Sequence, residues 1–378
     1  MIIKPSIQNR FLFFTLFIGL IIGVYYLVPP HHVSDRTIAL TVNKLNTPLS
    51  QKIGQMICIG FSGSEPQSLK AILSQVQSGS IGGLIFYHGN IGPEPQLRSL
   101  IQTLQSKTAQ WPLFIAVDQE GGLVQRLTEK KGYLSSLSPH RVATKLSPKQ
   151  AKLHYGKMAK QLQRIGFNLN FGTVLDLSYP SSIIASHERS YSQKPRITSL
   201  YAGAMVEAHQ EMGIITALKH FPGHGHSQKD THLMPSDITA SWETRDLLPF
   251  IQLIRNNQAP MIMVGHLINH QFDTKHPASL SQKTVQELLR QNYRYNGVVI
   301  TDDLQMKAIQ NQYSLKETVI SAINAGNDIL LFGNVDQADP KLVSNIHAII
   351  TEALNTGDIS IERINQSFER IRRLKTLL

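Results

Sequence analysis

The sequence predicts a single (β/α)8 TIM-barrel domain behind an N-terminal apolar segment, and three observations carry that expectation. Eight short apolar runs recur from residue 49 onward, amphipathic stretches of helical period separate them, and polar residues gather where the runs end. Strand and helix alternating over roughly 300 residues is the pattern of a parallel sheet wrapped by helices. A doubly wound open sheet shares that alternation and is the runner-up topology.

In chain order, the first element is the uncharged run from Phe11 to Val28, preceded by Lys4 and Arg10 and followed by Pro29 and Pro30. A spanning helix needs about 20 apolar residues, whereas a cleaved signal peptide has a core of about 7 to 15 and a small-residue cleavage site. The run is near the longer length, has no Ala-x-Ala pattern, and ends on Tyr25 and Tyr26, which suit a membrane interface. Residues 1–30 are therefore expected to be an uncleaved signal anchor, with cleavage and secretion as the alternative. The two flanking positive charges place the N-terminus in the cytoplasm and the rest outside it. Residues 31–48 read as a polar linker, and 49–378 as the barrel domain.

The eight candidate strands are Met56 to Gly60, Gly83 to Tyr87, Leu113 to Val117, Phe167 to Phe171, Ile214 to Lys219, Met261 to Gly265, Gly297 to Thr301 and Asp328 to Phe332. Each is short and nearly continuous in its apolar character, as parallel strands covered on both faces require. Pro66 to Ser78 places Leu69, Ile72, Leu73 and Val76 on one helical face, and Pro95 to Lys107 does the same with Leu97, Leu100, Ile101 and Leu104. Ser147-Pro148 is a cap followed by a first-turn proline, opening a helix that runs to about Arg164. Further helices are expected over Ser199 to Met212, Thr244 to Asn256, Ser281 to Asn292, Ser314 to Ala325 and Pro340 to Asn355. Ile364, Phe368, Ile371 and Leu374 give the segment Ile361 to Leu378 the apolar face of a closing helix.

Composition narrows the function. The net charge is +11 with 42% hydrophobic residues, but the basic residues are scattered, without the stripe that nucleic-acid binding requires. Nucleic acid is excluded as a partner on that ground. The single cysteine, Cys58, lies inside an apolar run, so it is a core residue and supports neither a disulfide framework nor a lipid-attachment site.

In a barrel of this kind the chemistry sits at the C-terminal ends of the strands. There the sequence offers Asp118-Gln-Glu-Gly-Gly122, the loop Lys219-His-Phe-Pro-Gly-His-Gly-His-Ser-Gln-Lys-Asp-Thr-His232, then His266, then Asp302-Asp303. Adjacent carboxylates on an extended chain point opposite ways. Asp302 is assigned the chemical role, and Asp303 that of capping a helix over Leu304 to Ile309 or supporting its neighbour. Asp230 stands one residue from His232, and a carboxylate beside an imidazole can fix its tautomer and raise its basicity. A carboxylate nucleophile on one strand end and a proton donor on another loop meet the requirement for double-displacement cleavage of a glycosidic bond. The competing reading, a metal site built on His220, His224, His226 and His232, lacks a helical His-Glu-x-x-His spacing and a cysteine partner. No metal or other cofactor is expected. The glycines flanking His224 read as a hinge that gives the loop freedom to move.

Lys219-His-Phe-Pro-Gly-His-Gly225 with Asp230-Thr-His232, Val117-Asp-Gln-Glu-Gly-Gly122 and Asp302-Asp-Leu-Gln-Met306 together resemble the family 3 glycoside hydrolases, in their β-N-acetylglucosaminidase branch. Gly82-Gly-Leu-Ile85, Val174-Leu-Asp-Leu177, Glu188-Arg-Ser-Tyr191 and Ala325-Gly-Asn-Asp328 extend the resemblance over residues 50 to 335. The resemblance implies Asp302 as nucleophile, His232 as acid/base and Asp230 as its dyad partner. It implies that Asp118, Arg126, Arg189, Lys219 and His220 hold an N-acetylglucosamine ring, in keeping with carboxylates accepting from, and Arg and Lys donating to, sugar oxygens. Two departures stand beside the expected pocket: His187 where the family has Gly before Glu-Arg-Ser, and Gly172-Thr173 where it has Ala-Pro.

The expected function is thus a retaining exo-β-N-acetylglucosaminidase acting on peptidoglycan fragments or chitooligosaccharides, held in a bacterial inner membrane with its barrel in the periplasm. A phosphorylase is an alternative, because a neutral histidine does not repel an incoming phosphate as a carboxylate does. A non-catalytic peptidoglycan-binding barrel is the alternative of another class, and it is disfavoured because Asp302 and His232 are both present.

Overall fold

The computed structural model describes residues 47–63, 66–108, 110–228, 234–335 and 338–378. Eight parallel strands form one sheet: β1 (Ile57–Gly60), β2 (Gly83–Phe86), β3 (Phe114–Val117), β4 (Leu169–Val174), β5 (Ile215–Phe221), β6 (Met261–Val264), β7 (Val298–Thr301) and β8 (Leu330–Phe332). Neighbours in the sheet are neighbours in sequence from β1 to β7, and β8 pairs with β1. A parallel bridge between Ile300 and Ile329 joins β7 to β8 and closes the barrel. The open-sheet alternative is thereby excluded.

Every residue of all eight strands is buried, so the continuous apolar runs have the cause inferred for them. The seam between β7 and β8 is also held by side chains. The Thr301 hydroxyl accepts the Leu331 amide at 3.1 Å, and an Asp303 carboxylate oxygen accepts the Gly333 amide at 2.8 Å.

The helices follow the apolar faces. Pro66–Ser78 and Glu94–Ser106 lie where the periodicity puts them. Pro148–Ile165 opens with a capping box between Ser147 and Gln150 and ends at Gly166 with φ 110°, a left-handed cap that favours glycine. The stretch expected as one helix over Thr244 to Asn256 is instead a 3-10 turn (Thr244–Leu247) followed by an α-helix (Leu248–Arg255). Pro249 explains the break, since it brings no N–H and belongs in a first turn. Lys283–Asn292 is π-helical. A helix over Pro139–Lys145 went unpredicted although Ser138 and Pro139 repeat the Ser-Pro start signal.

The closing helix, Ile361–Lys375, buries Ile364, Phe368, Ile371 and Leu374. It is tied to the start of β8 through Asp328, whose carboxylate meets Arg290 at 2.6 Å, Arg363 at 3.0 Å and Arg370 at 3.2 Å. Leu49–Leu378 is one compact unit. The apolar run Phe11 to Val28 and most of the 31–48 linker lie outside the described residues, among which no helix is long and apolar enough to cross a membrane.

Candidate active site

The strand ends converge on a network of buried charge. Asp118 follows β3 directly, and Lys219 and His220 are residues of β5. The Lys219 ammonium lies 3.0 Å from Asp118 and 2.8 Å from Glu120. Glu120 also receives two hydrogen bonds from Arg189, at 2.9 and 2.8 Å, a bidentate geometry that fixes the guanidinium plane. The second oxygen of Asp118 accepts from Arg126 at 3.1 Å. Arg126 stands 5.8 Å from the centre of the Tyr87 ring, and its Nε is buried without an acceptor among the described residues.

These pairings set the charges. Burial works to raise the Asp118 carboxyl, but Lys219 and Arg126 outweigh it and bring it down to about 2. Burial opposes ionisation of Glu120 as well, and Arg189 with Lys219 again reverses the sign. Burial would lower the Lys219 amine, yet Glu120 and Asp118 hold it above its ordinary value. The site is therefore a fixed array of two carboxylates and three cations at neutral pH. Such an array offers hydrogen-bond acceptors and donors held in fixed orientation at the strand ends.

His220 and the loop after it hang on one further carboxylate. Asp176, two residues beyond β4, accepts from Nδ1 of His220 at 2.6 Å and from the backbone amides of His220 at 3.1 Å and His224 at 2.7 Å. His220 and His224 pull the Asp176 carboxyl down to about 2 against burial. The peptide bonds Lys219–His220 and Phe221–Pro222 are cis.

The Pro222–Gly225 segment departs from the expected hinge. All four residues are buried. A Cβ on Gly225 would lie 2.3 Å from the Leu177 carbonyl oxygen, and one on Gly223, at φ 119°, would lie 2.8 Å from the Asp246 side chain. The glycines permit close packing and a left-handed turn, so freedom to move is not their reason for being there. His226 stacks on Tyr179 at 3.5 Å with Nε2 3.2 Å from Asp246, and the Ser227 and Ser236 hydroxyls are hydrogen-bonded.

Asp302 emerges at the end of β7, its amide donating to the Val264 carbonyl at 2.9 Å and its Oδ1 accepting the Asp303 amide at 2.9 Å. Asp303 does not cap a helix over Leu304 to Ile309. The helix there begins at Lys307 behind Met306, and Asp303 instead accepts from the Gln305 and Gly333 amides. His266, after β6, lies between the Ser279 hydroxyl at 2.7 Å and the Asp303 carbonyl at 2.8 Å, which places it under the turn that carries Asp302.

Residues 48–374 match the glycosyl hydrolase family 3 N-terminal domain. The chain belongs to glycosyl hydrolase family 3. It is 32% identical over 337 residues to Beta-hexosaminidase A of Pseudoalteromonas piscicida, covering 83% of this chain and 56% of that protein. It is 35% identical over 285 residues to the Beta-hexosaminidase of Photobacterium profundum, covering 74% of this chain and 83% of that one. The structure of a glycoside hydrolase family 3 β-N-acetylglucosaminidase from Paenibacillus sp. str. FPU-7 superposes with a TM-score of 0.81 at 29% identity, covering 88% of this chain and 62% of that one. The chain thus spans a little over half the length of the first of these relatives.

In this family 3 barrel, Asp118, Arg126, Arg189, Lys219 and His220 form one connected cluster at the strand ends, with Asp302 at the end of β7. Asp230 and His232 lie outside the described residues, as does any contact they make. Among the described residues no three His, Cys, Asp or Glu side chains converge as a metal site. Two residues without a sequence-level assignment prove to organise the cluster: Glu120, which orients Arg189 and Lys219, and Asp176, which holds His220. Both lie within quoted family motifs, but their importance depends on cations delivered by other strands. At Gly172, one of the departures, a Cβ would lie 2.4 Å from the Gln119 carbonyl oxygen, so the glycine lets β4 press against the short extended segment Gln119–Gly121.

Proposed function

We propose that the protein is a retaining exo-β-N-acetylglucosaminidase that removes terminal N-acetylglucosamine from peptidoglycan fragments or chitooligosaccharides. The observation that carries this reading is the buried network Asp118–Lys219–Glu120–Arg189 at the mouth of the barrel, with Asp302 on the same rim. The β-hexosaminidase relatives support it. Asp118, Arg126, Arg189, Lys219 and His220 hold the sugar ring and present its anomeric carbon to Asp302. The Asp302 carboxylate forms a bond to that carbon as the bond to the leaving oxygen breaks, and His232 gives the leaving oxygen its proton. His232, oriented by Asp230, then takes a proton from water, whose oxygen attacks the same carbon and releases Asp302, so the configuration is retained.

The test is hydrolysis of an aryl N-acetyl-β-glucosaminide by wild type, Asp302→Ala and His232→Ala, with and without added phosphate. Asp302→Ala is expected to lose more than about 10⁴-fold in kcat/KM, and His232→Ala about 10²- to 10⁴-fold, the range for a lost general acid. Wild-type activity in Asp302→Ala would overturn the mechanism. N-acetylglucosamine 1-phosphate as the product in phosphate buffer would replace hydrolysis by phosphorolysis. The N-terminal anchor belongs to the same proposal: the Phe11 to Val28 run holds the enzyme in the inner membrane with the barrel in the periplasm. Recovery of the mature protein in the soluble fraction, lacking residues 1–28, would refute it.

A further inference from the structure

We infer that Asp176 is a positioning residue that ties the sugar-holding His220 to the stem of the proton-donor loop; this rests on the function proposed above. Asp176 is fully buried. One of its carboxylate oxygens accepts the amides of His220 and His224, and the other accepts Nδ1–H of His220. Its backbone carbonyl accepts the Ser190 hydroxyl at 2.6 Å, beside Arg189. One residue therefore touches the arginine turn, the histidine at the end of β5 and the first residues of the loop that leads to Asp230 and His232.

The chemistry of that contact is specific. An ionised carboxylate can only accept, so a hydrogen must sit on Nδ1 of His220. In the neutral ring the lone pair is then on Nε2, which lies 3.5 Å from Arg189 within the charged cluster. Arg189 donates to it there, so a sugar hydroxyl that donates to Nε2 displaces that long bond. The same carboxylate fixes where the loop leaves the barrel, because the His224 amide bond is followed by Gly225 packed on the Leu177 carbonyl, His226 stacked on Tyr179, and Ser227 joined to Ser236. A shift of Asp176 therefore moves the sugar contact and the stem of the loop together, and a misplacement of about 1 Å at a reacting group costs on the order of a hundredfold in rate.

Two leaving groups separate this coupling from a merely structural contribution. A 2,4-dinitrophenyl glycoside departs without a proton, whereas a phenyl glycoside needs one. Asp176→Asn is expected to lower kcat/KM about a hundredfold on the phenyl substrate and about tenfold or less on the dinitrophenyl one, with KM raised on both. Nitrogen NMR of the wild-type imidazoles is expected to show His220 protonated at Nδ1, a measurement that stands even where the variant fails to fold. Equal losses on both substrates with unchanged KM, or a neutral His220 protonated only at Nε2, would overturn the inference. Wild-type inactivity on both glycosides would refute the proposed function instead, and the His220 tautomer would still decide the positioning.

Discussion

Two lysines are buried to nearly the same depth at opposite ends of the barrel: Lys219 at the C-terminal ends of the strands is 3% exposed, and Lys375 under their N-terminal ends is 4% exposed. Lys219 faces two carboxylates and is held above its ordinary pKa. Among the described residues Lys375 meets only neutral acceptors, Gln55 Oε1 at 2.6 Å and the Gly82 carbonyl at 2.8 Å, with the Phe114 ring centre at 4.5 Å. Burial brings its amine down to about 7, and Cys58 beside it offsets little of the shift. The arginines repeat the contrast. At the lower end Arg290 gives its hydrogens to the Gly326, Tyr295 and Gly297 carbonyls and to Asp328, whereas Arg126 at the upper end keeps a buried Nε without an acceptor among the described residues. Burial alone therefore does not mark a functional cation. What sets the proposed sugar-holding end apart is a lysine with two carboxylate partners beside an arginine whose buried Nε has no acceptor among the described residues.

The largest effect that tests this contrast is expected from Lys219→Met. It leaves Asp118 and Glu120 each with one cation fewer in a buried site, and should lower the unfolding free energy by about 3 kcal/mol, measured by urea titration. It should also reduce kcat/KM on an aryl N-acetyl-β-glucosaminide more than about a hundredfold. A loss below about 1 kcal/mol with activity retained would erase the distinction between the two ends.

Asp118→Asn comes next, with kcat/KM down by about a hundredfold. The sign of its pH effect follows from the depressed carboxyl, about 2 in the fold against an ordinary value of about 3.9. The stability it contributes is fully present above pH about 4 and is lost as pH falls toward 2, by roughly 2 kcal/mol. In acid denaturation the variant should therefore show a shallower decline over that window than wild type. Lys375→Met should have the smallest effect, with kcat/KM unchanged within about twofold. Because the folded-state amine is depressed, wild-type stability should rise by about 2 kcal/mol between about pH 7 and 9, as the unfolded chain alone keeps the proton. The variant should lack that rise.

Much of the barrel was legible because its strands are buried on both faces and so write uninterrupted apolar runs into the sequence. Pro66–Ser78 has the predicted bounds for the same kind of reason, a proline at one end and Gly79, at φ 72°, beyond the other. The Thr244 to Asn256 stretch broke differently because Pro249 outweighs periodicity there. In the site, Asp118, Lys219 and Asp302 stood out as charged residues ending apolar runs. Glu120 and Asp176 did not, since a buried carboxylate gains meaning only from cations and amides far away in the chain. The glycines of the Pro222–Gly225 turn misled for a related reason: composition says that a glycine permits motion or close approach, and only its neighbours say which.

The hydroxyls of Ser227 and Ser236 meet, so the two flanks of residues 228–235 are fastened to each other at one point. In evolutionary terms that makes the intervening stretch a cassette. On the function proposed above, the proton donor belongs to that stretch, whereas the sugar-holding charges and the nucleophile belong to the strand ends, so the two halves of the mechanism are written in separate parts of the chain. A family can in this way inherit one half of its mechanism from the fold and rewrite the other half in a loop.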